Sequence, residues 1–289
     1  MAVKTHSAQK TSTRNFNVAN TFNPALPPTV LEYLVVAGGG SGAVLSSTDV
    51  KGAGGGAGGL LTGNTNINFT TYTVVVGTGG DGQNSGSGNY GSNSSFTGTG
   101  VSLVSYGGGR GGWFLDAGSG GSGGGTTGST YLSTNQVVGK GVYPGSSFVS
   151  AARQGYDGAQ GTGNLGGTAC TGGGGGGAGG PGSGATGGTG YTTTISGSSV
   201  TYASGGAGGS GNNYPPGSRT TVIGGGGQGA AASTPPASQY SQGGGDGAVI
   251  VRYPNTFPAA SATTGTVSIT NADGFRVYNF TGSGTITFN

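Results

Sequence analysis

Side chains that could carry out chemistry are few in this chain, and they lie far apart. The 289 residues include one histidine, His6, and one cysteine, Cys170. The acidic residues are seven and widely scattered: Glu32, Asp49, Asp81, Asp116, Asp157, Asp246 and Asp273. No His/Cys cluster has the spacing of a metal site, and a Ser–His–Asp site would need the histidine near the N-terminus. We therefore expect no enzyme, no cofactor and no bound metal.

Aromatic residues between the glycine clusters are the best candidates for binding. Tyrosine and tryptophan supply a large contact area at low entropic cost, and their rings suit the faces of sugars. The candidates for receptor binding are Trp113, Phe114, Tyr131, Tyr143, Tyr156, Tyr214 and Tyr240. The alternative interpretation is that these rings form a small hydrophobic cluster that caps the ends of a glycine array.

The formal net charge of +3 belongs to an N-terminal arm, because the rest of the chain has seven basic and seven acidic residues. The basic side chains of the arm are Lys4, Lys10 and Arg14. Such an arm can bind nucleic acid or an acidic protein surface, and three charges are too few to favour nucleic acid. Residues 1–29 therefore predict an extended docking arm with a proline-rich exit.

Short apolar stretches that run into or out of glycine clusters predict β-strands. These strands would position the glycine clusters and the aromatic residues between them. The strand signals are Val30–Val36, Tyr72–Val76, Val101–Tyr106 and Ala248–Tyr253. In the tail, 255–289, three more apolar stretches separated by Asp273-Gly274 and a Ser-Gly pair predict a β-meander. Within its middle stretch, Phe275, Val277 and Asn279 should face one side, with Arg276, Tyr278 and Phe280 on the other. No long helical pattern is present.

The 74 glycines occur in clusters, which favours an ordered arrangement. Polyglycine can adopt a polyproline-II-like helix of three residues per turn, without internal hydrogen bonds. Several such helices packed side by side can satisfy one another's N–H and C=O groups, provided that no Cβ intervenes. A helix surrounded on all sides should then need glycine at every position. Gly172 to Gly177 is the best candidate for such a buried helix.

Four motifs in order resemble the glycine-rich domain of bacteriophage tail-fibre and adhesin proteins. They are LEYLVVAGGGS at 31–41, YTVVVGTGG at 72–80, GSNSSF at 91–96 and GAVIVRY at 247–253. The resemblance spans residues 30–254 and implies a polyglycine-II sandwich. The expected fold is mostly irregular and β, a packed polyglycine-II helix array flanked by short β-strands, with essentially no α-helix.

The resemblance also implies a function. A phage tail-fibre or tip adhesin in the virion would bind a host surface glycan or outer-membrane protein through loops between glycine helices. Its arm would dock on other virion proteins, homotrimerisation is possible, and neither nucleic-acid binding nor membrane insertion is expected. Two alternatives stay open: a head fibre or capsid decoration protein without a receptor role, and a secreted glycine-rich ice-binding or matrix protein.

In such a family the tail motif FRVYNFTGSGTITF usually precedes the domain, whereas here it follows it. One expectation is that both ends of the domain share one sheet, with 284–288 near 30–36. The other is that the tail is a separate oligomerising piece.

Overall fold

The fold is a two-sheet β-sandwich from which glycine-rich segments extend. The computed structural model describes residues 26–44, 50–113, 116–129, 136–143, 152–163, 170–209, 214–230 and 239–289. The described strands, in chain order, are β1 (Val30–Val36), β2 (Val50–Lys51), β3 (Leu60–Asn66), β4 (Thr71–Val75), β5 (Ser94–Gly98), β6 (Val101–Ser105), β7 (Gly128–Ser129), β8 (Tyr191–Thr193), β9 (Val200–Tyr202), β10 (Ala248–Pro254), β11 (Ala262–Thr264), β12 (Val267–Ala272), β13 (Phe275–Phe280) and β14 (Gly284–Thr287). The described residues contain no α-helix, as the sequence predicted.

Each sheet of the sandwich has five described strands. The first has the order β12-β13-β10-β1-β3 and the second β11-β14-β4-β5-β6. All pairings within them are antiparallel. The centre of the first sheet joins the two ends of the glycine-rich region, because Tyr33 of β1 is opposite Val251 of β10.

The core between the sheets is rich in aromatic rings. The rings of Tyr72 and Phe96 stack with centroids 5.1 Å apart, and Phe288 packs edge-on against Tyr72 at 6.3 Å. Tyr253 and Tyr278 also stack, at 5.8 Å, and their hydroxyl oxygens are 2.9 Å apart. Each such pair adds about 0.5–1.5 kcal/mol beyond the burial of its area.

A second apolar cluster covers the other face of the first sheet. Leu34, Ile250 and Val277 form its base, and Ile195 and Tyr202 of the β8–β9 hairpin close over them. Along β13, Phe275 and Val277 belong to this cluster, whereas Tyr278 and Phe280 lie between the sheets. The alternation predicted for this strand is therefore confirmed.

The tail contributes strands to both sheets. The β12–β13 hairpin turns at Asp273 (φ 50°) and Gly274 (φ 81°), the left-handed pair that a two-residue Asp-Gly turn requires. Strand β13 pairs with β10, which places the tail and β1 in one sheet. Strand β14 crosses to the second sheet and pairs with β4, not with β1. Phe288 and Leu31 nevertheless belong to the same core cluster, so both ends of the domain contribute to one core.

The glycine-rich segments form an array whose hydrogen bonds repeat every three residues. The N–H groups of 54–56 donate in turn to segments 172–178, 224–230 and 107–112, at N···O distances of 2.7–2.9 Å. Residues 57–59 then repeat the same order of partners, with Gly59 bonded to Tyr106, the residue just before segment 107–112. Three residues per turn and bonds only to neighbours are the properties of packed polyproline-II-like helices.

Segment 52–59 lies at the centre of the array. Its carbonyl groups accept from a further three segments, 38–44, 117–127 and 203–209. A Cβ on Gly54 would lie 2.0 Å from the carbonyl oxygen of Gly206, which shows why a side chain there is excluded.

Two alanines modify the rule that a surrounded helix needs only glycine. Ala53 and Ala57 of the central segment are fully buried. The methyl group of Ala57 joins the apolar cluster of Leu60 and Ala203, because it points into the gap where the array meets the sheet. The prediction for 172–177 is confirmed, since all six glycines are buried.

Candidate functional site

The glycine array has one end at the sandwich and one end away from it. Segment 38–44 leaves β1 and segment 52–59 returns into β3, and the two are antiparallel neighbours. The N–H of Ala43 donates to the carbonyl oxygen of Ala53 at 2.8 Å, and that of Val44 donates to Gly86 at 2.9 Å. Residues 43–44 and 86 therefore mark the end away from the sandwich, called here the far end.

Trp113 lies at the far end. It follows segment 107–112, which leaves β6, and its own N–H donates to the Ser87 hydroxyl at 3.0 Å. Two residues before it, the Gly111 N–H donates to the carbonyl oxygen of Ser41 at 2.9 Å. The Trp113 side chain is 49% exposed, which is a large apolar area to leave in water.

Two charged residues, Arg110 and Asp116, lie close to Trp113 in the sequence and form an ion pair. The Arg110 guanidinium lies over the ring of Tyr90 at 5.4 Å and is 3.3 Å from the Asp116 carboxylate. Asp116 is well exposed, so the ion pair contributes little stability. The far end thus presents an indole, a tyrosine ring and both signs of charge.

Tyr214 and Tyr240 occupy another corner near the same end. The N–H of Tyr214 donates to the carbonyl oxygen of Tyr240 at 3.2 Å, and the Tyr214 hydroxyl bonds the side chain of Gln228. Both tyrosines are half-buried. Gln228 is at the level of Gly42, since both bond Gln242, which places this corner near the far end.

Tyr143 and Tyr156 lie at the opposite end, beside the sandwich. The Arg153 guanidinium carbon is 4.4 Å from the ring centre of Tyr156 and 5.2 Å from that of Tyr143. The neighbouring Gln154 carbonyl accepts from the N–H of Leu60 at the start of β3. The structure therefore divides the predicted aromatic residues between two surfaces.

The remaining predicted residues cannot be assigned to either surface. Phe114 and Tyr131 lie outside the described residues, and so do Lys4, Lys10 and Arg14 of the arm.

A cleft of about 360 Å³ opens where β3 forms the edge of the first sheet. It is lined by Tyr33, Thr62, Arg153, Tyr156, Gly179 and Tyr191, among others. Burial raises the pKa of Tyr33 above its usual value, so its hydroxyl stays protonated further into the alkaline range than that of an exposed tyrosine. Sequence reasoning missed Tyr33 because it lies in a predicted strand, where an aromatic ring indicates packing rather than binding. It also missed Tyr191, which lies in a strand, β8, that the sequence did not predict.

A second cleft, of about 350 Å³, lies near the start of β1. Its lining includes the Glu32–Arg252 ion pair, with 2.7 Å between Arg252 Nη2 and Glu32 Oε2. Phe275 lies 4.3 Å from the Arg252 guanidinium. Because both charges are satisfied, this cleft offers a ligand little beyond apolar contact.

Neither a metal centre nor a membrane-spanning helix is seen in the part of the chain that the structure describes. No group of three or more His, Cys, Asp or Glu residues there could hold a metal ion. No described helix is long and apolar enough to cross a bilayer.

Comparison with known proteins identifies the family. A family model described as a glycine-rich domain matches residues 13–254, so the chain belongs to the glycine-rich domain family. No curated protein matches the sequence.

Proposed function

We propose that this member of the glycine-rich domain family is a structural protein of a bacteriophage particle. In this role it is a tail-fibre or tip adhesin, and the far end of its glycine array binds a host surface glycan or outer-membrane protein. The observation that supports this most is the position of Trp113, 49% exposed at the end of the array away from the sandwich.

The array suits the presentation of variable loops. Most of its hydrogen bonds join backbone to backbone, so few of them depend on the side chains in the connections. The segments on which a loop rests are held by hydrogen bonds to neighbouring segments. For example, the Gly88 N–H donates to the carbonyl oxygen of Gly111 at 3.0 Å. A loop residue can therefore change without changing its support, which is what a receptor-binding surface needs.

Docking on the particle is assigned to the other end of the protein. The arm residues Lys4, Lys10 and Arg14 would bind other virion proteins, and a homotrimer is compatible with this arrangement. The described chain enters the sandwich at residues 26–30. An arm that docks there leaves the far end of the array free.

The test is decoration of host cells by a fluorescent fusion of the full chain. Trp113→Ala should reduce cell-bound fluorescence by about tenfold, because exposed tryptophans are the side chains whose truncation costs most at an interface. The matched control is Phe69→Ala, which removes a ring of similar exposure (52%) from the loop between β3 and β4, on the sandwich side. Equal cell-bound fluorescence of the Trp113→Ala and Phe69→Ala variants would contradict the proposal.

The place of the protein on the particle separates the tail-fibre role from the decoration role. Antibody labelling at the tail tip is the expected result. Labelling of the capsid, together with normal adsorption of particles that lack the protein, would replace the adhesin by a head fibre or decoration protein.

A further inference from the structure

We propose that the cleft at the free edge of β3 binds an acidic saccharide, with the sugar ring against Tyr191 and Tyr33 and its anionic group on Arg153. This site lies beside the sandwich, at the opposite end of the array from Trp113. It does not depend on the adhesin function, and the cleft can be tested separately from the far end.

The first support is the shape and lining of the cleft. Its volume of about 360 Å³ falls in the range of small-ligand sites, which is about 300–1,000 Å³. Three tyrosines, Tyr33, Tyr156 and Tyr191, contribute to its walls. A tyrosine offers an apolar ring and a polar hydroxyl together, which matches the alternating C–H and O–H surface of a sugar.

The second support is an available ring and an available hydroxyl. The Tyr191 side chain is 38% exposed on β8. Tyr33 extends across β3 at a position without a side chain, because its cross-strand partner is Gly63. A Cβ on Gly63 would lie 3.2 Å from the Tyr33 hydroxyl oxygen. Glycine at this position therefore keeps the hydroxyl of Tyr33 in its place at the sheet edge.

The third support is an unbalanced charge. Arg153 is the one charged residue among those described as lining the cleft, and it makes no ion pair with a described carboxylate. Arg110, Arg219 and Arg252 each have such a partner. An anion on the ligand would supply the counter-charge of Arg153.

The Arg153 guanidinium is already fixed in position by its neighbours, before any anion binds. It stacks on Tyr156 at 4.4 Å, and its Nη1 donates to the Gly155 carbonyl at 3.2 Å. Stacking fixes the plane of the group and leaves other N–H donors for a carboxylate or phosphate, which arginine binds with a planar fork. Less side-chain entropy is then lost on binding.

The backbone of β3 adds polar groups along the cleft. The N–H of Leu60 points away from β1 and donates to Gln154. Because N–H and C=O directions alternate along a strand, Thr62 directs its backbone groups to the same side, into the cleft that it lines. These groups can bond sugar hydroxyls and fix their orientation.

The experiment is an NMR titration of the isotope-labelled full chain with sodium glucuronate, glucose 6-phosphate and glucose. Saturable shifts of the Thr62 and Gly179 amides are expected with at least one acidic sugar, and much weaker ones with glucose. Glucuronate and the phosphate ester separate the two possible anions. Absence of saturable shifts with both acidic sugars, or equal affinity for glucose, would overturn the proposal.

Variants assign the binding to its residues. Arg153→Gln should weaken binding of the acidic sugar by about tenfold or more, and Tyr191→Ala should weaken all sugars. Arg153→Lys keeps the positive charge but loses the planar pair of N–H donors. An intermediate affinity for the acidic sugar is therefore expected. The matched control is Arg276→Gln, since Arg276 also lacks an ion pair with a described carboxylate but donates to Phe257 elsewhere.

The two proposals fail separately. Trp113→Ala should leave the titration unchanged, and Arg153→Gln should test the cleft without altering the far end. Unchanged affinity in Arg153→Gln would overturn the role of the arginine, whatever the outcome of the cell-decoration test.

Discussion

A Cβ atom on Gly175 would lie 2.0 Å from the carbonyl oxygen of Gly55. The two glycines are 120 positions apart in the sequence, and they belong to segments 172–178 and 52–59, which are neighbours in the array. Backbone atoms on both sides are fixed by hydrogen bonds, since Gly175 N–H donates to Gly206 at 2.8 Å. The contact cannot relax without loss of those bonds.

Gly175→Ala should therefore lower the free energy of unfolding by about 3 kcal/mol or more, at the upper end of the range for overpacked interiors. Urea denaturation followed by fluorescence measures this. The matched control is Gly180→Ala, where the nearest atom to the new Cβ, 2.8 Å away, is the Thr189 hydroxyl oxygen. That side chain can move, so a change within about 1 kcal/mol is expected, and equal losses would contradict the packing argument.

Amide hydrogen exchange should show protection across the glycine array. The N–H groups of 54–58 and 173–176 all donate to backbone carbonyls of other segments, and these residues are buried. They should exchange much more slowly than Asn84 and Ser85, which lie in an exposed bend. Free exchange at the buried glycines would mean that the array opens locally without global unfolding.

Alkaline pH should destabilise the protein. Burial, followed by the hydrogen bond to Tyr278, raises the pKa of Tyr253 well above its usual value near 10. The unfolded chain then releases the tyrosine proton first, so stability is complete below about pH 10 and falls as pH rises beyond it, by up to about 1.4 kcal/mol per pH unit for each such group. Urea midpoints measured between neutral pH and about pH 11 test this.

Tyr253→Phe is the matched variant for that measurement. It should cost about 1–2 kcal/mol at neutral pH, because the Tyr278 hydroxyl loses a partner 2.9 Å away. The same variant should show a shallower loss of stability above about pH 10. An unchanged alkaline slope would assign the effect to another group, such as Tyr33, whose pKa is also raised by burial.

Arg219→Lys should lower the free energy of unfolding by about 1–2 kcal/mol. The Arg219 guanidinium donates to the carbonyl oxygens of Gly79 (2.8 Å) and Gly244 (3.0 Å) and also contacts the carboxylates of Asp81 and Asp246. A lysine ammonium group is too compact to reproduce this set. Thermal unfolding of both proteins measures the difference.

The matched control for that substitution is Arg110→Lys. Among the residues that the structure describes, Arg110 has one ion pair, with an Asp116 carboxylate that is 79% exposed. Exposed pairs of this kind are worth about 0–1 kcal/mol. A similar loss in both variants would show that the carbonyl contacts of Arg219 contribute little.

Much of the sandwich could be predicted from the sequence. The apolar run Val30–Val36 is a strand over the predicted residues, and the Asp273-Gly274 turn and the alternation of β13 follow from local rules. Strand β3 was missed because its sequence, LLTGNTN, has the composition of a loop. It forms a strand because β1 provides hydrogen-bond partners along its whole length.

The arrangement of the array could not be predicted. Gly54 bonds Gly173 and Gly55 bonds Gly227, but nothing in one glycine distinguishes it from another as a partner. The choice of neighbour is fixed by the strands and connections at the ends of each segment. For the same reason the sequence could identify Trp113 and Tyr156 as binding candidates without showing that they lie at opposite ends.

The pairing of β1 with β10 has a kinetic consequence. It joins Tyr33 to Val251, so more than two hundred residues form one closed loop, and most bonds of the array connect residues that are also distant in sequence. Such contacts form slowly, because the entropy of loop closure is lost before the contacts stabilise the chain. Once these contacts are formed, a glycine segment at the centre of the array cannot detach before its neighbours do, because it is hydrogen-bonded to them on all sides. We expect slow unfolding and resistance to proteases, which cleave chains only where they open.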